Sequence, residues 1–289
     1  MKRAKLLIVM TLLITVVFTF SASAQEADWP EVIEMGAIPA ESASNLSDRL
    51  TPVIEALEAE LGVEIKIRNA SDYRGVIEAL NAGKIDFAKL GPKSYIEAKD
   101  NYGGVEPIVK PINMNGSGGY RSCLISNTET DIYTPEGAAG SLFAFNDPNS
   151  TSGYLVPMML FMQQLNVKPE EYFEKVTFSG SHEASILSVA NSQVEAASTN
   201  LEDIRRAVQN ERIDEANIRV IWVSDLIPND PMVVRSELPE SFKTALKEAF
   251  LNLPREILVK SDWTGFKEVN DAHYQVIREL NEIKKQMQN

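Results

Sequence analysis

This sequence predicts an α/β fold in two lobes, each a sheet covered by helices. Three observations carry that expectation. Apolar runs of strand length alternate with segments at helical spacing from residue 31 to residue 90. The alternation restarts beyond a glycine cluster at 115–119. The 289 residues, 44% hydrophobic and 24% charged, suffice for two modest domains with cores of their own.

Each element follows from local chemistry. Residues 31–38 alternate with an apolar bias and read as a first strand. Ser44 or Asn45 is expected to cap a helix whose Leu50, Val53, Ile54, Leu57 and Leu61 keep helical spacing. Gly62 ends it, and 63–67 is a second strand. Asp72 caps the next helix, with Val76, Ile77 and Leu80 on one face and Gly83 as the stop; 86–90 reads as a short buried strand. This order implies a parallel, helix-covered sheet.

Beyond the glycine cluster, 120–126 and 141–145 read as strands and 151–165 as a long apolar helix. Segments 176–178, 183–190, 201–209 and 218–223 continue the alternation. Pro228-Asn229-Asp230-Pro231 interrupts it, a strand-like 232–235 follows, and 242–253 and 271–287 read as helices. The glycine cluster and the segment 227–232 read either as two crossings between lobes, able to absorb hinge rotation, or as ordinary surface loops. As crossings they make 25–114 with 233–289 one lobe and 115–232 the other.

Composition narrows the function. There are 28 basic against 41 acidic residues, a net charge of −13, with no Lys/Arg-rich run. That argues against nucleic acid or an anionic membrane surface as partner. One cysteine and two histidines leave no cluster for zinc, iron–sulfur or a disulfide framework, so neither metal nor cofactor is expected. Residues 1–24 have the layout of a cleaved secretory signal peptide: Lys2, Arg3 and Lys5, the apolar run 6–20, then Ala22-Ser23-Ala24. Uncleaved, the segment would nearly span a bilayer. Ala22 and Ala24 suit the peptidase, and no second apolar span follows. Cleavage removes three basic residues and no acid, so the mature, soluble chain stands at −16.

Three short segments carry chemistry. In Asn146-Asp147-Pro148-Asn149-Ser150-Thr151-Ser152-Gly153-Tyr154, three successive hydroxyls stand where a helix begins. Helix starts present unpaired N–H groups and partial positive charge, and added hydroxyl donors suit a tetrahedral oxyanion. The alternative is capping, the usual work of one Ser or Thr there. In Ser179-Gly180-Ser181-His182-Glu183-Ala184, His182 also lies at a helix start, where the dipole disfavours the imidazolium; it reads as a neutral donor or as a surface histidine. Third come Tyr73, Tyr95, Tyr120, Glu202 and Asp230, all near turns, with Tyr120 and Asp230 beside the suspected crossings. No Gly-x-Ser-x-Gly elbow, His-Glu-x-x-His, P-loop or Gly-x-Gly-x-x-Gly is present, so a binding role is expected rather than an enzyme.

Six segments together resemble one family: Gly36-Ala37-Ile38-Pro39-Ala40-Glu41, Leu46-Ser47-Asp48-Arg49, Asp72-Tyr73, Asp147 to Tyr154, Ser181-His182-Glu183-Ala184 and Ile227-Pro228-Asn229-Asp230-Pro231. The chain resembles the phosphonate/phosphite-binding proteins of bacterial ABC importers over nearly all of its length after the leader. The resemblance implies a type II-like periplasmic binding protein fold, with the ligand between two lobes joined by two crossing strands. It further implies a periplasmic monomer that serves an inner-membrane ABC permease and its cytoplasmic ATPase.

By the same resemblance, Ser150, Thr151 and Ser152 hold the phosphonate oxygens. His182 donates from the same lobe, Tyr120 closes from the hinge and Tyr73 meets the ligand from the first lobe. Asp230 matches a hinge-side acid and Glu202 an acid that meets a ligand ammonium, which favours an aminoalkyl phosphonate. Phosphite, methylphosphonate or phosphate would rest on Asp230 alone. Tyr95 is a further contact candidate. The sequence departs from the family at Lys89, where relatives commonly carry an aromatic residue; Lys89 faces either the cleft or solvent. The same lobes also suit a sensory module that presents its closed form to a receptor kinase.

Overall fold

The computed structural model describes residues 28–288, so the expected leader at 1–24 lies outside the described residues. The chain begins with β1 (Val32–Ala37), α1 (Ala43–Leu61), β2 (Glu64–Arg68), α2 (Tyr73–Asn81), β3 (Phe87–Lys89), α3 (Pro92–Tyr102) and β4 (Val105–Asn113). Ser42, not Ser44 or Asn45, caps α1, its hydroxyl accepting the Asn45 N–H at 3.3 Å. Gly62 closes it in the left-handed region at φ 70°. Leu46, Leu50, Val53, Ile54, Leu57 and Leu61 are buried as their spacing requires, each contributing about 1.5–3 kcal/mol if fully enclosed.

The second half comprises β5 (Gly119–Asn127), β6 (Leu142–Phe145), a helical segment over 151–164 whose middle turn is α4 (Val156–Met159), α5 (Pro169–Tyr172), β7 (Lys175–Phe178), α6 (His182–Ala190), β8 (Ala196–Asn200), α7 (Leu201–Gln209) and β9 (Ile218–Pro228). The chain then returns through β10 (Met232–Arg235), α8 (Glu240–Leu251), α9 (Arg255–Leu258), β11 (Trp263–Glu268) and α10 (Gln275–Gln288).

Two sheets result, one per lobe: β11-β4-β10-β3-β1-β2 and β7-β6-β8-β5-β9. Neither is purely parallel as the local order implied. β1 pairs in parallel with β2 and β3, while β10 runs antiparallel between β3 and β4. In the other sheet β5 runs antiparallel to β8 and β9. The cause is the connectivity: the chain leaves the first sheet along β4 and comes back along β10, so outgoing and returning strands oppose each other in both sheets. Helices cover both faces. Leu50, Leu57, Phe242 and Phe250 pack on one side of the first sheet and Val76, Leu80, Tyr95 and Ile96 on the other. In the second sheet Phe143, Phe145, Phe161 and Phe173 form one core, with Phe143 and Phe173 stacked at 4.3 Å, and Cys123, Ile125, Ile186 and Val189 the other.

The two crossing segments are tied together. Asn229 donates its side-chain N–H groups to the Pro111 carbonyl at 2.8 Å and to Asn113 Oδ1 at 3.0 Å, and Asn113 donates to the Gly119 carbonyl at 3.0 Å. Tyr274 braces them from behind, its hydroxyl donating to the Asn229 carbonyl at 3.0 Å. On the same flank α10 lies against α3 of one lobe and the 151–164 helix of the other, with Leu280 touching the cores of both. Asn229→Ala removes both donations and leaves buried acceptors unpaired. It should lower unfolding free energy by about 1–3 kcal/mol, read from the urea midpoint; an unchanged midpoint would show that the crossing is held elsewhere.

Candidate functional site

A cavity of about 100 Å³ lies between the lobes. The first lobe lines it with Tyr73 and Lys89, the second with Ser150, Thr151, His182 and Glu202, and the crossings with Tyr120 and Asp230. The lobes touch on both sides of it. Lys93 donates its backbone N–H to Thr151 Oγ1 at 2.8 Å, and Ser94 donates its hydroxyl to the Asn149 carbonyl at 3.0 Å. On the opposite rim Arg205 and Arg206 each reach Asp262 at 3.2 Å, and Glu183 accepts the Ser42 N–H at 2.7 Å.

The turn after β6 builds the donor cluster. Asp147 folds it tightly, its Oδ1 accepting the Asn149 N–H at 2.7 Å and its carbonyl the Ser150 N–H at 2.8 Å. Gly153 is required here, because a Cβ would stand 2.2 Å from Asn146 Cβ. The first turn is wide, with the Leu155 N–H reaching the Ser150 carbonyl five residues back; such π-type turns often occur at functional sites. Ser150 does act as a cap, accepting the Gly153 N–H at 2.9 Å. A hydroxyl that accepts still has a proton to donate, so capping and anion binding coexist in Ser150 and Thr151. The N–H groups of Thr151 and Ser152 belong to a first turn, where no intrahelical acceptor exists.

His182 is buried beneath this cluster. Its Nε2 lies 3.4 Å from Ser152 Oγ, and its Nδ1 lies 3.1 Å from Thr199 Oγ1 and 3.9 Å from Asp203 Oδ2. Burial lowers its pKa below 6.5 against the opposing pull of Asp203 and Asp230, so the ring is neutral at pH 7. Both tautomers suit these hydroxyl neighbours: with the proton on Nδ1 the ring donates to Thr199 and Nε2 accepts from Ser152, and with the proton on Nε2 the ring donates toward Ser152. Burial alone would raise Asp203, but Arg206 and then His182 outweigh it and bring its pKa down to about 2. This buried Asp203–Arg206 pair escaped sequence reading, although Asp203 and Arg206 stand three apart on α7, within reach of each other.

Tyr73 opens α2, which Asp72 caps through the Gly75 N–H at 2.7 Å. Burial, then Asp203, raise its hydroxyl well above the ordinary range, while a hydrogen bond with Ser150 works the other way. Burial and then Asp230 likewise raise Tyr120, with the neighbouring Ser152 and Thr151 hydroxyls working the other way. Both are therefore neutral phenols with a proton to give. Lys89 faces the cleft and is ion-paired with Asp230. Glu202 lines the cavity with its carboxyl raised by burial, and its Oε2 finds no hydrogen-bond partner among the described residues. Tyr95 is not brought to the cleft. It is wholly buried, its ring edge-on to Tyr274 at 5.2 Å and its hydroxyl donating to Asp271 at 2.6 Å.

The pH dependence of stability follows from these shifts. Between the lowered native pKa of His182 and 6.5 the unfolded chain binds more protons, so stability falls as pH drops through 6.5. Asp203 acts in the same direction, but only from about pH 4 down to about 2. From pH 7.5 to 5 the thermal midpoint of the unaltered protein should therefore fall relative to that of His182→Gln, whatever the raised carboxyls of Glu202 and Asp147 contribute to both. An equal slope in the variant would contradict the buried neutral histidine.

Comparison with known proteins gives the family and the fold. The family model for the periplasmic phosphonate substrate-binding protein of ABC transporters matches residues 35–274. The phosphonates-binding periplasmic protein of Escherichia coli (strain K12) is 32% identical over 285 residues, 94% of this chain and 83% of that protein. The phosphate-import protein PhnD of Mycolicibacterium smegmatis is 30% identical over 231 residues, 77% and 72% of the two chains. A binding protein component of the ABC phosphonate transporter of Pseudomonas aeruginosa superposes with a TM-score of 0.85 at 33% identity, covering 90% of this chain and 88% of that one. PhnD1 of Prochlorococcus marinus in complex with methylphosphonate shares the fold, with a TM-score of 0.79 at 24% identity over 88% and 98% of the chains. The chain belongs to the phosphonate-binding family of ABC-transporter periplasmic substrate-binding proteins.

Proposed function

We propose that this protein captures a phosphonate-type oxyanion in the interlobe cleft and delivers it to an ABC permease, binding its ligand without transforming it. The observation that carries this reading is the convergence on one small cavity of neutral donors from both lobes: Ser150 and Thr151 with their helix start, and the phenols of Tyr73 and Tyr120. In the mature, periplasmic chain the lobes 25–114 with 233–289 and 115–232 rotate about the two crossing segments. Closure brings Tyr73 onto a ligand already held by the Ser150 turn. Phosphite and phosphate present the same tetrahedral oxygens and are alternative ligands.

Each hydrogen bond to a charged oxygen contributes roughly 1.5–3 kcal/mol. Five of them, less desolvation and closure, support the roughly 8 kcal/mol of a micromolar complex. Closure also excludes water and creates the interlobe surface that a permease recognises. Tyr95 has no part in binding here; it supports Tyr274 and through it the Asn229 crossing.

Ser150→Ala combined with Thr151→Ala should weaken methylphosphonate, phosphite and phosphate alike by about a hundredfold or more, the loss of two charge-assisted bonds. Calorimetric titration at neutral pH reads this directly. Retained affinity would reduce the turn to a helix cap.

A further inference from the structure

Of the four acids that line the cavity, Asp203, Asp230 and Asp262 already have cations. The Lys89 ammonium sits against Asp230 Oδ2, with both side chains largely enclosed at 16% and 26% exposed. Glu202 has no ion pair among the described residues, and burial raises its carboxyl, which disfavours the charged form. A ligand ammonium would find Asp230 already occupied. It would have to displace Lys89 from Asp230 or lie beside it, and two like charges at contact in an enclosed site repel strongly.

The Lys89–Asp230 pair also lies close to the donor turn. A Cβ on Gly91 would stand 3.7 Å from Thr151 Oγ1 and 4.0 Å from Asp230 Oδ1, so the hydroxyl and the carboxylate flank Gly91 at the same wall of the cavity. An ammonium has three N–H donors, and Asp230 takes one. The remaining donors of Lys89 are available to an oxyanion seated at the turn. In the same place Asp230 alone would repel that oxyanion, so the pair replaces a repulsive charge by a neutral, donating unit. The cavity, about 100 Å³, is small beside ordinary ligand pockets of 300 Å³ and more.

We propose that Lys89 supplies from the protein the cation for Asp230, so that this chain selects a small tetrahedral phosphorus oxyanion carrying no ammonium group and discriminates against aminoalkyl phosphonates. The inference rests on the oxyanion reading above and sharpens it. Lys89 is then a specificity-determining residue, and the aminoalkyl ligand that Glu202 and Asp230 favoured at the sequence level is the one excluded.

The test is calorimetric titration of the mature protein with two groups of ligands. One group is methylphosphonate, ethylphosphonate, phosphite and phosphate; the other is aminomethylphosphonate and 2-aminoethylphosphonate. Ethylphosphonate and aminomethylphosphonate have the same number of heavy atoms, which separates charge from size. The tightest ammonium-free ligand should bind at least tenfold more tightly than either aminoalkyl compound. In Lys89→Met that ratio should shrink at least tenfold, because Asp230 is left to seek a cation, whereas Lys89→Arg should keep it. An aminoalkyl ligand that equals or beats the others on the unaltered protein overturns the inference while leaving the oxyanion reading intact. An unchanged ratio in Lys89→Met overturns it as well. Silence from all six ligands overturns the oxyanion reading, and the inference with it.

Discussion

The close approach of Gly153 to Asn146 sets the direction in which the Ser150 turn faces, and the cleft is organised around that direction. With no side chain at 153 the helix start packs directly on the end of β6, and its wide first turn presents hydroxyls and N–H groups away from the sheet. Ser122 and Ser198 fasten it from below, donating to the Ser152 and Gly153 carbonyls at 2.7 Å and 2.6 Å. A donor cluster fixed by backbone contacts loses little entropy when an anion arrives, which is where preorganised sites gain affinity. The first lobe then need only add the Tyr73 hydroxyl and close the cavity.

A strongly acidic protein holding an anion is consistent once distance is considered. Exposed charges more than about 8 Å apart are largely screened at physiological salt, so the overall charge matters less than the groups that touch the ligand. Those groups are hydroxyls, amides and the Lys89–Asp230 pair, which together carry no net charge. The charged residues nearby are neutralised in pairs, Lys89 with Asp230 and Arg206 with Asp203. Much of the acidity is exposed to solvent, as at Asp48, Glu55 and Glu60 on α1.

How much of this was legible in the sequence depends on how local the cause is. The Ser150 turn, the Asp72 cap on α2 and the Gly62 stop were readable because capping and glycine chemistry act within a few residues. β4 was not, since Pro107 and Pro111 interrupt its pattern; it is a strand because β10 and β11 flank it. β8, Ala-Ala-Ser-Thr-Asn, has almost no hydropathy signal, yet all five residues are buried between β5 and β6. The mixed direction of the sheets likewise comes from the two crossings, a property of the whole chain.

The site divides along the same line. Tyr73, Tyr120, Ser150, Thr151, His182, Glu202 and Asp230 all line one cavity. Tyr95 follows Gly91 at the cavity wall by four residues, but the helix that starts at Pro92 carries it inward onto Tyr274. The direction of Lys89 was undetermined until pairing of β3 with β10 placed Asp230 beside it. The central claim is that donors from both lobes converge on one tetrahedral anion, and a crystal structure of the protein grown with methylphosphonate tests it most directly. The account predicts phosphonate oxygens within hydrogen-bond distance of the Ser150 and Thr151 hydroxyls on one side and of Tyr73 on the other. A phosphonate bound away from that turn, or held by one lobe alone, would contradict it.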